Sequence, residues 1–147
     1  MDKVIVIIGS AREESNTMKA VKTLCPFSEY ELLDLRNFRI GHYEYDHSKN
    51  ASDDFEVIAQ KMDFAKVIIF ATPVYWYSMS GRLKALFDRF TELLSTKKDV
   101  GKRLKGKRCY VISCGSDPIL PEGFEIPFKL TAQYFEMEYC GAFYLKT

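Results

Sequence analysis

Apolar and polar positions along this chain fall into blocks, and each block has the period of one kind of element. Continuous apolar runs over residues 4–8 and 67–71 are typical of strands buried on both faces. Elsewhere apolar residues recur every three or four positions, which predicts helices with one inward face. The pattern predicts five strands, over residues 4–8, 30–35, 66–71, 108–113 and 137–145. It also predicts four helices, over residues 18–24, 53–62, 83–94 and 127–135.

The order of these elements predicts the fold class. Strand and helix alternate through the whole chain, which is typical of an α/β protein built from parallel β-α-β units with right-handed crossovers. We expect one domain over residues 1–147. Ligands of such open sheets bind outside the carboxyl ends of the strands. The loops over residues 9–17, 72–81 and 113–121 leave those ends, so we expect the site there.

Composition and charge exclude several classes of protein. Of the 147 residues, 47% are hydrophobic and 28% are charged, which is a globular balance. The net charge of +1 provides no field to hold nucleic acid or an anionic membrane. The basic run over residues 97–108 links a helix to a strand at the opposite edge from the expected site, and we interpret it as a solvated connection. We predict no nucleic acid and no membrane as partners.

The cysteines and the N-terminus indicate the compartment. The four cysteines show no C-x-x-C pair, and no secretory signal precedes the first strand. The apolar run over residues 4–8 is too short for a membrane span, which needs about 20 residues. We therefore expect reduced thiols and a cytoplasmic protein.

The first loop is rich in groups that can bind an anion. It runs from Gly9 to Thr17 and carries three hydroxyls and the Asn16 amide before a predicted helix. Free backbone N–H groups at a helix start favour a phosphate. An ordinary capped turn is the alternative. Both G-x-x-x-x-G-K-[ST] and G-x-G-x-x-G are absent, which argues against a nucleoside triphosphatase and a dinucleotide-binding Rossmann domain.

The second loop carries three consecutive aromatic residues, Tyr75, Trp76 and Tyr77. Large apolar groups at a strand's carboxyl end are consistent with a flat aromatic ligand packed against them. A hydrophobic lid or a subunit contact is the alternative, and it is compatible with a ligand.

At these two loops the chain resembles a known family. Gly9-Ser10-x-Arg12-x-x-Ser15-Asn16-Thr17 resembles the phosphate loop of NADPH-dependent FMN reductase-like proteins. The segment Thr72-Pro73-x-Tyr75-x-x-x-Met79-Ser80-Gly81-x-x-Lys84-x-x-x-Asp88-Arg89 resembles their flavin-ring loop and the helix that follows. The resemblance covers nearly the whole chain. It implies a flavodoxin-like three-layer sandwich whose parallel sheet has the order 2-1-3-4-5.

The resemblance also implies a cofactor site. FMN phosphate would be bound by five residues of the first loop: Ser10, Arg12, Ser15, Asn16 and Thr17. One edge of the isoalloxazine ring would be lined by residues of the second loop, namely Pro73, Val74, Tyr75, Trp76, Met79 and Ser80. Its other edge would be closed by Cys114, Gly115 and Ser116. In such proteins NADPH or NADH passes hydride to flavin N5, so no catalytic protein residue is expected. Arg12 is also a candidate contact for the nicotinamide nucleotide.

Two features depart from the family pattern. Some relatives carry a cysteine cluster before the second helix, whereas residues 41–47 here contain no cysteine, so we predict no iron–sulfur cluster and no metal. The fifth helix of the fold is apparently absent, because the chain ends after the fifth strand. A partly bare sheet face usually marks an interface. We therefore expect a homodimer or higher homo-oligomer, with Tyr139, Phe143 and Tyr144 helping to fill the interface.

The predicted function is an FMN-containing NAD(P)H-dependent oxidoreductase that reduces a small acceptor such as free flavin or a quinone. A flavodoxin-type electron carrier is the alternative, although such carriers tend to be strongly acidic and this chain is neutral. An FMN-binding protein without significant turnover is a further alternative. The sequence does not separate NADPH from NADH, or one acceptor from another.

Overall fold

The architecture is one five-stranded parallel sheet with helices on both faces. The structure is a computed structural model, and it describes residues 2–147. The strands are ordered β2-β1-β3-β4-β5, and every neighbouring pair is parallel, which confirms the predicted fold class and sheet order. The strands are β1 (Val4–Ile8), β2 (Glu31–Asp34), β3 (Val67–Pro73), β4 (Arg108–Gly115) and β5 (Glu138–Lys146).

Five α-helices connect these strands, so the prediction of four was wrong. They are α1 (Asn16–Leu24), α2 (Phe55–Phe64), α3 (Gly81–Arg89), α4 (Lys98–Arg103) and α5 (Ile126–Tyr134). The additional helix is α4, a short lysine-rich segment with no apolar period to reveal it. The predicted helix over residues 83–94 is α3 followed by a 3₁₀ turn over Phe90–Leu94. After β5 the chain has one further residue, Thr147.

The core consists of two apolar layers, one on each face of the sheet. Alternate residues of the central strands point to opposite faces, as the period of a strand requires. On one face Ile5, Ile7 and Ile68 pack against α2, α3 and α5. On the other face Val6 and Ile69 pack against α1. This is a three-layer arrangement, and it places the carboxyl ends of β1, β3 and β4 side by side.

Helix caps determine where the loops beside those strand ends stop. Ser15 caps α1 by accepting a hydrogen bond from the Met18 N–H at 3.0 Å, so the helix begins two residues earlier than predicted. Ser80 caps α3 in the same way, at 3.2 Å from the Leu83 nitrogen. The first and second loops therefore each end at a serine that fixes the start of a helix.

Candidate functional site

The first loop leaves β1 and turns into α1 over residues 9–17. Gly9 does not have a positive φ, so no left-handed backbone conformation requires a glycine at this position. A Cβ on Gly9 would lie 2.9 Å from both Leu83 Cβ and Ser80 Oγ, closer than side chains pack. Glycine is needed because the end of β1 passes directly against the start of α3. This contact brings the first and second loops together.

The first loop presents hydrogen-bond donors at its inner surface. Ser10 Oγ donates to the Arg12 carbonyl at 2.8 Å and closes the loop. None of the backbone N–H groups of residues 10–17 donates to a protein acceptor within residues 2–147. Glu13 and Glu14 are exposed, and the first turn of α1 carries no acidic side chain. The start of α1 therefore has the donors and the partial positive charge that stabilise an anion.

The second loop follows β3 and begins with a tight turn. The Tyr75 N–H donates to the Ser78 carbonyl at 2.9 Å, and the Ser78 N–H donates back to the Tyr75 carbonyl at 3.1 Å. The two residues between them, Trp76 and Tyr77, have positive φ of 50° and 69°. This backbone directs the Trp76 side chain into solvent, where 91% of the residue surface is exposed.

The third loop follows β4 and is tied to both of the others. Cys114 Sγ lies 3.5 Å from Thr17 Oγ1, and the Cys114 carbonyl accepts a hydrogen bond from the Val74 N–H at 2.9 Å. Burial raises the pKa of the Cys114 thiol despite the contact with Thr17, which keeps the group neutral. The Gly115 carbonyl accepts from the Thr147 N–H at 2.8 Å, which brings the last residue of the chain to the site.

The three loops enclose one cleft of about 230 Å³ at the carboxyl ends of β1, β3 and β4. Ten of the predicted site residues line it together with Ala11 and Thr147; the ten are Ser10, Arg12, Ser15, Asn16, Thr17, Pro73, Val74, Tyr75, Cys114 and Gly115. Arg12 is the charged side chain of this lining. The convergence of the three loops follows from the parallel order of the strands.

Four predicted site residues do not line the cleft. Met79 is buried in the core, and Ser80 is buried because it caps α3. Trp76 and Ser116 are exposed. Their place in the cofactor site was implied by the family resemblance, and it stays a prediction, because a position in a motif does not determine where a side chain points.

Sequence reasoning missed two residues of the lining. Ala11 lies inside the phosphate loop, but it was passed over because it has no polar group. Thr147 reaches the cleft because β5 pairs in parallel with β4 and ends beside Gly115. The sheet order that the resemblance implies contained this signal, since it places the end of the fifth strand beside the third loop.

The cleft residues fit the two ends of FMN. Hydroxyls and unshared N–H groups gather at the start of α1, where a phosphate would be bound. The wall formed by Pro73, Val74 and Tyr75 is apolar and partly aromatic, as a flavin ring requires. The cleft is smaller than the roughly 300–1,000 Å³ of pockets that enclose a drug-sized ligand. A flavin would therefore extend beyond the cleft.

A second groove within residues 2–147 has a different lining. A wider groove of about 550 Å³ is lined by Lys3, Phe27 and Arg108, at the amino ends of the strands. Within residues 2–147, no three His, Cys, Asp or Glu side chains have the geometry to hold a metal. The absence of an iron–sulfur cluster stays a prediction. None of the helices in this range has the length and apolar character needed to span a bilayer.

Comparisons with known proteins agree with the fold. Residues 3–120 match the model of the NADPH-dependent FMN reductase family. YwqN of Bacillus subtilis (strain 168), which is named an NAD(P)H-dependent FMN-containing oxidoreductase, is 30% identical over 122 residues, covering 78% of this chain and 67% of YwqN.

Two solved structures share the architecture. The Trp repressor binding protein from Bacillus subtilis is 25% identical with a TM-score of 0.79, and the match covers 99% of this chain and 84% of that one. FerB from Paracoccus denitrificans, a flavoenzyme NAD(P)H:(acceptor) oxidoreductase, is 22% identical with a TM-score of 0.72, covering 95% of this chain and 75% of FerB. The family match spans all three loops except the end of the third, and on that basis this chain belongs to the NADPH-dependent FMN reductase family.

Proposed function

We propose that this NAD(P)H-dependent, FMN-containing oxidoreductase reduces a small diffusible acceptor, such as free flavin or a quinone, and does so at the cleft between its three loops. The observation that supports the cleft is the convergence of phosphate-type donors and an apolar wall at the carboxyl ends of β1, β3 and β4. When bound, FMN would supply the redox chemistry between the nicotinamide nucleotide and the acceptor. The protein binds and orients it.

In this proposal the start of α1 binds the phosphate. Thr17 and Asn16 supply side-chain donors beside the free N–H groups of the loop, and Ser10 Oγ would have to leave the Arg12 carbonyl to donate there. Ser15 Oγ accepts from the Met18 N–H, so its own hydroxyl hydrogen remains free for the phosphate. Arg12 is exposed at the rim, where it can contact either the flavin phosphate or the nicotinamide nucleotide.

The rest of the cleft binds the ring and leaves it accessible. Pro73, Val74 and Tyr75 form one wall, with Cys114 and Gly115 at the other edge. The neutral Cys114 thiol takes no part in bond making, because burial disfavours the thiolate. Since the cleft encloses only part of a flavin, a nicotinamide and then an acceptor can each reach the ring. We further propose that the chain is a single cytoplasmic FMN-binding domain that functions as a homodimer or higher homo-oligomer.

The phosphate assignment is tested by Asn16→Asp. The new carboxylate keeps the size of Asn16 and suits a helix start, so the free energy of unfolding of the apoprotein should not fall. It would repel the phosphate, and we expect FMN affinity to fall at least about tenfold. Fluorescence titration of FMN measures the affinity. Gln60→Glu, an exposed position on α2, is the charge-matched control and should bind FMN normally. If Asn16→Asp binds FMN as tightly as the wild type does, the assignment of the phosphate to this loop is wrong.

The reaction is tested on the purified holoprotein without any partner. NADPH and NADH are each added anaerobically, and loss of the flavin absorbance is followed. Reduction by either nucleotide, followed by reoxidation with free flavin or a quinone, is expected. If bleaching required a separate reductase, the protein would be an electron carrier instead.

A further inference from the structure

The outer surface of α5 carries an apolar stripe. The inner residues Phe128 and Ala132 are buried in the core. On the opposite side Ile126, Leu130 and Tyr134 recur every four residues, and all three are exposed. Leu94 is also exposed, and it lines one small cavity of about 200 Å³ together with Tyr134. We name Ile126, Leu130, Tyr134 and Leu94 the α5 stripe.

A stripe of this kind is unusual on a free surface. The solvent side of a surface helix is normally polar, because its apolar residues face the core. The four residues are between 46% and 67% exposed, and clusters of exposed apolar residues tend to be functional. An interface of standard size takes about 800 Å² from each partner, with an apolar centre and a polar rim. The stripe matches such a centre.

The charges at the two ends of the α5 stripe differ in sign. Beside Tyr134 and Leu94, Lys98 and Lys102 line the same cavity. Glu136 also lines it, and lies 3.9 Å from Lys105. At the other end, Glu122 is exposed in the turn that precedes α5, and Glu125 accepts a hydrogen bond from Tyr139. One end is therefore acidic and the other is mainly basic.

We propose that the α5 stripe binds a second copy of this chain, antiparallel, across a two-fold axis at Leu130. An isologous interface pairs one patch with itself, so the two ends of the stripe meet each other. Ile126 then packs against Tyr134 of the partner subunit, and Glu122 approaches Lys98 and Lys102 of the partner subunit. A parallel arrangement would instead place like charges together. This inference adds a surface to the homo-oligomer proposed above.

The sheet face over β5 is a weaker candidate for this contact. Tyr139 and Tyr144 use their hydroxyls within the chain, on Glu125 and on the Asp117 carbonyl. Phe143 is 36% exposed and stacks on Tyr110 at a centroid distance of 6.3 Å. These aromatic residues fill their own surroundings and leave little surface for a partner. The α5 stripe, with Leu130 58% exposed at its centre, leaves more.

Sedimentation equilibrium over a range of protein concentrations tests the surface. We expect a wild-type dimer, and Leu130→Glu should weaken it about 30-fold or more, because two carboxylates would meet at the axis. Phe64→Glu replaces a residue that is 78% exposed on α2, outside the stripe, and should dimerise as the wild type does. Phe143→Glu should also leave the dimer intact.

Several results would overturn the proposal and still be distinguishable from one another. If Leu130→Glu dimerises normally while Phe143→Glu does not, the interface lies over β5 and the homo-oligomer stands. If the wild-type protein is a monomer at all concentrations, both the proposed surface and the proposed homo-oligomer are wrong. FMN titration of each variant separates these outcomes from a failure of the cofactor site, whose lining contains no residue of the α5 stripe.

A charge exchange tests the antiparallel register. Glu122→Lys should weaken the dimer, since each end of the interface would then bring together three positive charges: the new lysine and Lys98 and Lys102 of the partner subunit. Adding Lys98→Glu and Lys102→Glu in the same chain should restore it, and the restored dimer should weaken with added salt. If the triple variant dimerises no better than Glu122→Lys alone, the register is wrong.

Discussion

Arg89 carries a guanidinium that is almost completely buried, since the residue is only 1% exposed. Its Nη1 and Nη2 donate to the two Asp53 carboxylate oxygens at 2.6 and 3.1 Å, and Nη1 also reaches the Gly41 carbonyl at 3.0 Å. Glu92 completes the network, and the Phe55 ring lies 4.7 Å from the guanidinium carbon. Arg89 therefore ties the long loop before α2 to the end of α3.

This network predicts how stability depends on pH. Burial opposes ionisation of Asp53, but hydrogen bonds from Arg89 and from the Gly41 and Phe55 N–H groups outweigh it and lower the pKa. A lowered pKa contributes stability that is complete above the unfolded value of about 3.9 and is lost as the pH falls through the folded value. Asp53→Asn should cost about 3 kcal/mol at pH 7, and the difference from wild type should shrink below about pH 4.

Denaturant unfolding at a series of pH values measures both effects. Asp88→Asn is the matched control, because Asp88 is also paired with a cation, Lys84 at 2.5 Å, but lies on the surface. Its cost should be at most about 1 kcal/mol. A difference between wild type and Asp53→Asn that stays constant to pH 3 would contradict the role of the ionised carboxylate.

At the scale of elements, the turn at residues 75–78 has a backbone that its sequence does not favour. Positive φ at both central residues of a two-residue turn is usually met by Asn and Gly, whereas this turn uses Trp76 and Tyr77. Such strain costs on the order of 1 kcal/mol or more for each residue, and it is concentrated at functional sites. Here the strained turn is continuous with Tyr75 of the cleft wall.

Replacing the strained pair should therefore stabilise the protein and impair the site. Trp76→Asn combined with Tyr77→Gly should raise the free energy of unfolding by about 1–2 kcal/mol and change the KM for the acceptor. Glu136→Gly is the control. Its φ of 59° lies after α5, away from the cleft, so it should add about 0.5–1 kcal/mol and leave turnover unchanged. Loss of stability in the double variant would show that the aromatic side chains do more for the fold than the strain costs.

The same elements show how far sequence reasoning extends. Strands β1 and β3 were predictable because each contains a continuous apolar run, and the sheet order came with the family resemblance. Helix α4 was not, since its six residues have no apolar period, and its pairing of Arg103 with Asp63 at 2.7 Å joins residues 40 positions apart. The exposure of Trp76 depends on a backbone conformation that its residue type disfavours. Arg89 of α3 pairs with Asp53 of the loop before α2, 36 positions away in the sequence, and no local sequence pattern predicts this pairing.

At the scale of the whole molecule, the cleft links cofactor binding to folding. Three loops from separate strands meet there through few direct contacts, among them the 3.5 Å approach of Thr17 Oγ1 to Cys114 Sγ. A ligand that contacts all three loops binds the folded chain and not the unfolded chain. It must raise the free energy of unfolding by an amount that depends on its concentration relative to its Kd.

Comparing FMN with riboflavin separates the two ends of the cleft. At a free concentration of 100 times its Kd, FMN should raise the free energy of unfolding by about 2.7 kcal/mol, measured by denaturant titration. Riboflavin has the same ring without the phosphate, and losing even one charge-assisted hydrogen bond costs about 1.5–3 kcal/mol. At the same concentration riboflavin should therefore stabilise the fold far less. Inorganic phosphate should raise the apparent Kd for FMN, because it would occupy the start of α1. Equal stabilisation by both flavins would mean that the apolar wall of the second loop alone carries the binding energy.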